Sequence, residues 1–76
     1  MNKERRKALS TIKDKLEGLK DELNVLLEAE QDYFDSMPES FQNGQKGESA
    51  ENAIGEIENA IQGIDEAQCA IDEATQ

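Results

Sequence analysis

The chain has 76 residues, with 8 Lys and Arg against 18 Asp and Glu, no His, one Cys and a net charge of −10. Hydrophobic residues make up 36% and the aromatics are Tyr33, Phe34 and Phe41 alone, which predicts one small domain over 1–76 with too little apolar material to wall off an enzyme pocket of roughly 300 Å³. A zinc site lacks His and clustered Cys, direct nucleic-acid or anionic-membrane binding lacks cations, and the longest apolar run, Val25-Leu26-Leu27, falls far short of the ~20 residues of a membrane span.

The start, Asn2-Lys3-Glu4-Arg5-Arg6-Lys7, is charged and no apolar stretch follows it, which speaks against a cleaved secretion signal. Cys69 alone forms no internal disulfide, so a reduced cytoplasmic setting is the expectation. Low hydrophobicity with high charge is a compositional mark of disorder, but the periodicity argues against it.

The first element is a helix over about 3–36. Leu9, Ile12, Leu16, Leu19, Leu23, Leu26, Glu30, Tyr33 and Met37 alternate spacings of three and four. With Leu9 at heptad position a and Ile12 at d, this is an apolar stripe suited to packing on other helices, breached at Glu30. Leu27 and Phe34 stand in the e column, which Lys13 and Lys20 occupy earlier. Met37-Pro38 stops the helix, because proline disfavours helix at the preceding residue and lacks an amide donor.

Residues 37–48 read as a loop. Asn43-Gly44 and Gly47 supply turn chemistry, and residues 38–42 have room for one helical turn.

The second helix is expected over about 49–75, with Ser49 as N-cap and Glu51 near the positive end. A seven-residue repeat runs Glu-Asn-Ala-Ile-Gly-Glu-Ile (51–57), Glu-Asn-Ala-Ile-Gln-Gly-Ile (58–64) and Asp-Glu-Ala-Gln-Cys-Ala-Ile (65–71). Ile54, Ile57, Ile61, Ile64 and Ile71 make its a/d stripe, interrupted by Gln68, with Ala53, Ala60, Ala67 and Ala74 beside it at g. Gly55 and Gly63 each cost the helix about 1 kcal/mol relative to Ala. They read equally as points of close helix approach, as a bend or as tolerated residues.

Two long helices and a short connection predict an all-α fold. The simplest form is an antiparallel, coiled-coil-like two-helix hairpin. Its uncovered apolar surface predicts dimerisation into a four-helix bundle, with Leu16, Leu19, Leu23, Leu26, Ile57, Ile61 and Ile64 in the oligomer core. Charge agrees with an antiparallel pair. Residues 1–20 hold 7 Lys and Arg against 3 acids, and residues 21–76 hold 1 Lys against 15 acids. The basic start of the first helix and the acidic end of the second each oppose the helix dipole, and side by side they offset one another.

Candidate functional residues follow from the same pattern. Glu51, Glu58, Asp65 and Asp72 recur every seven residues, about 10.5 Å apart along a helix; Glu56, Glu66 and Glu73 thicken the ladder, and Glu28, Asp32 and Asp35 of the first helix add to it. Such a negative rod fits a protein groove built for a nucleic-acid backbone; the plainer reading is a solvated face that keeps a bundle soluble. Tyr33, Phe34 and Phe41 gather near the connection, either as a plug or as a contact patch. Glu30, the one acid on an expected core position, reads either as a buried functional carboxylate or, more plainly, as a device that fixes helix register or a carboxylate near Lys46 or another loop donor. Metal binding is disfavoured, since carboxylate-bridged bundle sites also use His. Cys69, at b and among acids, is a poor thiolate.

The segment Asp32-Tyr33-Phe34-Asp35-Ser36-Met37-Pro38-Glu39-Ser40-Phe41-Gln42, followed by Lys46-Gly47-Glu48 and Ala/Ile/Glu heptads, resembles a group of uncharacterised small acidic helical-hairpin proteins of bacteria, phages and mobile elements. There a Lys/Arg-rich first helix precedes a Tyr-Asp-x-Met-Pro-Glu-type hinge and an acidic, Ala-rich second helix. The resemblance implies a bacterial cytoplasmic setting and carries over no activity and no functional residues.

The functional expectation is a non-catalytic acidic binding protein that uses no cofactor. Its partner would be a protein with a basic surface, such as a nucleic-acid-binding or host-defence protein that it inhibits. The alternative is a structural oligomerisation or adaptor bundle. A third reading is a sponge for a phosphorylated small ligand held by Arg5, Arg6 and Lys7.

Overall fold

The computed structural model describes all residues, 1–76. It contains three helices and no strand: α1 (Lys3–Asp35), α2 (Glu39–Gln42) and α3 (Gln45–Ala74). The molecule is a rod of 58 × 15 × 12 Å, and no helix is long and apolar enough to cross a membrane.

Asn2 starts α1. Its backbone is extended and its side-chain Oδ1 accepts a hydrogen bond from the Arg5 amide at 2.8 Å, satisfying one of the free amides of a first turn. At the other end the Ser36 amide donates to the Asp32 carbonyl at 3.0 Å and the Met37 amide to Phe34 at 3.1 Å. Pro38 then breaks the ladder. Its own carbonyl accepts from Phe41 and Gln42 at 2.9 and 3.0 Å, which makes α2 the single helical turn for which residues 38–42 have room.

The second long helix is capped five residues earlier than its capping signal predicts. Gly44, not Ser49, is the N-cap of α3, and its carbonyl accepts from the Glu48 amide at 3.0 Å. Gly47 lies inside the helix, and no glycine in the chain has positive φ. A Cβ placed on Gly47 would stand 2.0 Å from the Gln42 carbonyl oxygen. The residue is thus needed for close approach of α2 to α3 rather than for turn conformation. That contact also explains the early start: packing on α2 outweighs the weak local helix preference of a glycine-containing segment.

The helices α1 and α3 lie side by side with their numbering in opposite senses: Lys13 meets Asp72 and Lys20 meets Asp65. On α3 the expected stripe faces α1, with Ile54, Ile57, Ile61, Ile64 and Ile71 half-buried and Ala50 and Gln68 buried. On α1 the inward face differs from the a/d stripe. The half-buried residues are Leu9, Lys13, Leu16, Lys20, Leu23, Leu27, Glu30, Phe34 and Met37, columns a and e. Lys13 and Lys20 take seam positions because their aliphatic stems cover apolar surface while the ammonium groups reach Asp72 and Asp65 at the edge. The d column is left outside, with Ile12 46%, Leu19 51%, Leu26 57% and Tyr33 52% exposed.

Candidate functional site

Three surfaces carry the functional candidates: the acidic ladder of α3, the tip around α2 and the outer stripe of α1.

The ladder is divided by the fold. Lys13 Nζ donates to Asp72 Oδ1, and Lys20 Nζ donates to Asp65 Oδ1 at 2.8 Å and lies 3.2 Å from Glu17 Oε2. Beside them Gln68 Nε2 donates to Glu17 Oε2 at 2.8 Å and to the Lys13 carbonyl at 3.4 Å. The Asp72 hydrogen bond holds the Lys13 ammonium above its ordinary range. Hydrogen bonds to Asp65 and then Glu17 do the same for Lys20. The bond from Gln68, followed by that from Lys20, holds the Glu17 carboxyl below its ordinary range. Asp65 and Asp72 are therefore tied to the chain's own lysines. Glu51, Glu58, Glu66 and Glu73 are exposed and make no ion pair within the chain; Glu66 accepts only a 3.4 Å bond from Gln62.

Continuing the register of those pairs sets Leu27 opposite Glu58 and Phe34 opposite Glu51. Where α1 exchanges lysine for apolar residues in its e column, the acids of α3 lose their cations. Residues 21–58 hold 11 acids and one base, Lys46. The remaining residues hold 7 of each. All of the net charge thus belongs to the tip half of the rod, where like charges reinforce one field.

At the tip the aromatics divide: Tyr33 and Phe41 border one open concavity with Met37, Pro38 and Lys46, and Phe34 turns into the seam. Phe34 is half-buried in the seam and its carbonyl accepts from Gln42 Nε2 at 3.0 Å. Tyr33 and Phe41 are about half exposed, and Lys46 Nζ stands 5.4 Å from the centre of the Phe41 ring. Glu30 shares an open concavity of about 330 Å³ with Tyr33, Gln45, Lys46, Ser49 and Ala50. Although Glu30 and Lys46 border the same concavity, they form no ion pair.

Of the expected oligomer core, Leu16, Leu23, Ile57, Ile61 and Ile64 line the seam between α1 and α3, whereas Leu19 and Leu26 face outward. The lysine ion pairs lie in the e columns of both helices and so mark one edge of the pair. By helix geometry the d column of α1 and the Ala column of α3 lie toward the other edge. Leu26 is 57% exposed there, and Val25, 65% exposed in the c column, lies on the face of α1 turned away from α3. Arg5, Arg6 and Lys7 are exposed and pair with no acid of the chain. Cys69 is free and exposed.

The network of Lys13, Glu17, Lys20 and Gln68 was not among the expected site residues. Its signal was present as lysine in the e column of the first helix and aspartate in the e column of the second, at matching antiparallel spacing. Comparison with protein-family models, curated proteins and solved structures finds no match to this chain.

Proposed function

We propose that this chain is a non-catalytic binding protein: an antiparallel helical hairpin that presents acidic α3 residues of its tip half to a protein partner with a basic surface. The observation that supports the reading is the division of charge, with a net −10 in residues 21–58 and balance elsewhere. Glu51 and Glu58, which have no cation within the chain, replace Asp65 and Asp72 as the centre of the contact, with the exposed Glu48 one helical turn before Glu51. A partner that otherwise holds a nucleic-acid backbone has the matching field. The test is capture from bacterial lysate at low and high salt, with wild type and a Glu51→Lys, Glu58→Lys variant as bait. A basic protein held at low salt, released at high salt and lost with the variant supports the reading. Equal capture by the variant overturns it.

A second reading, a helical assembly module in which two hairpins close into a four-helix bundle, draws its support from a different observation. Ile12, Leu19, Leu26 and Tyr33 form an apolar stripe that the chain does not cover.

A further inference from the structure

We propose that the outer stripe of α1 is covered by a second copy of this chain, docked antiparallel, with Ile12 of each copy against the second copy's Tyr33 and Leu19 against the second copy's Leu26. The inference rests on the assembly reading and specifies its partner, orientation and register.

The stripe is self-complementary. Its four residues stand at seven-residue intervals, about 31 Å from first to last, and are symmetric about a point between Glu22 and Leu23. An antiparallel copy centred there matches all four layers. Sliding by one heptad in either direction leaves three.

Charge selects the same arrangement. Residues 3–15 contain six Lys and Arg against two acids, a net of +4. Residues 30–42 contain Glu30, Asp32, Asp35 and Glu39 and no base, a net of −4. The centred antiparallel register lays 3–15 of one copy along 30–42 of the other, twice. It puts Lys15, Arg5 and Arg6, which have no partner in their own chain, near the other copy's Glu30 and Glu39. A parallel copy would set +4 on +4 and −4 on −4, with both tips repelling.

Area is consistent with a second copy. A compact chain of 8.5 kDa exposes about 4,700 Å², whereas this rod exposes 5640 Å². The excess is comparable to the ~800 Å² that each partner contributes to an interface of standard size.

Two measurements on the full chain test this. Light scattering during size exclusion reads the mass, expected at twice 8.5 kDa at tens of micromolar. A Leu19→Glu substitution, at an exposed position, should halve the mass while far-UV dichroism keeps its helical signal. A monomeric wild type overturns both the arrangement and the assembly reading. Orientation is read separately by disulfide trapping in a Cys69→Ser background, with tags of different size on Ile12→Cys and Tyr33→Cys chains. The antiparallel copy yields the mixed disulfide and neither homodimer. A dimeric wild type that traps Ile12→Cys with itself overturns the arrangement and leaves assembly standing.

Discussion

Gln68 Nε2 donates to Glu17 Oε2 at 2.8 Å across the seam between α1 and α3. Gln68 is 8% exposed and the one buried polar side chain of the chain. Its amide also reaches the Lys13 carbonyl and accepts from Lys20 Nζ, both at 3.4 Å. All three partners lie on α1 between residues 13 and 20, so the full set is available in one register only. The residue thereby does for helix alignment what a polar a-position residue does in a coiled coil.

Replacing it separates alignment from stability. Gln68→Leu adds apolar burial, while Glu17 and Lys20 keep each other and water. We expect the thermal midpoint to rise by several degrees, about 1 kcal/mol. The register should become less unique, read as broadened amide resonances or a second set of them in the NMR spectrum. An unchanged or lowered midpoint would assign Gln68 a stabilising rather than an aligning role.

Glycines at different sites should respond with opposite sign. Gly47→Ala places a Cβ 2.0 Å from the Gln42 carbonyl oxygen and 2.6 Å from its Cα. Backbone must move, at a cost of about 1–3 kcal/mol or more. Gly55→Ala and Gly63→Ala meet nothing within 4 Å and should each stabilise by about 0.5–1 kcal/mol through helix preference. Chemical denaturation of the three variants checks the contrast.

Acid should remove one specific contribution. Hydrogen bonds from Gln68 and Lys20 lower the Glu17 pKa from its ordinary 4.5. A carboxyl with a depressed folded-state pKa adds stability above the unfolded value, and that stability fades as pH falls through the folded one. The difference in melting midpoint between wild type and Glu17→Gln should therefore be present at neutral pH, shrink below about 4.5 and vanish once Glu17 is protonated in the folded chain. Working with the difference removes the opposing benefit that acid brings by relieving the net −10 charge. A difference that persists at the lowest pH would mean Glu17 acts through packing.

Asn2 accepts the Arg5 amide at the start of α1. Asn2→Ala should lower stability by about 1 kcal/mol. Asn2→Ser should restore most of it, as hydrogen exchange at the first-turn amides would show. Equal exchange in all three chains would mean that the first turn frays regardless of its cap.

Helices, their periodic faces and the break between them were determined by the sequence alone. Heptad spacing in Leu9–Met37 and Ile54–Ile71, together with Met37-Pro38, is local information, and the helical hydrogen bonds it calls for are local too. The face that α1 turns to α3 was a different matter. Both the a/d and the a/e stripes are present in its sequence, and only the opposed helix shows that Lys13 and Lys20 sit in the seam because Asp72 and Asp65 wait across it. The same partnership took two acids out of the expected ladder and left Glu51 and Glu58 without cations, which no single-helix pattern contains. Gly47 carries the same lesson at the tip. Its sequence context reads as a turn, yet the approach of the Gln42 backbone put it inside a helix. Tertiary structure decided these points because each depends on an atom far along the chain, whose distance no local pattern encodes.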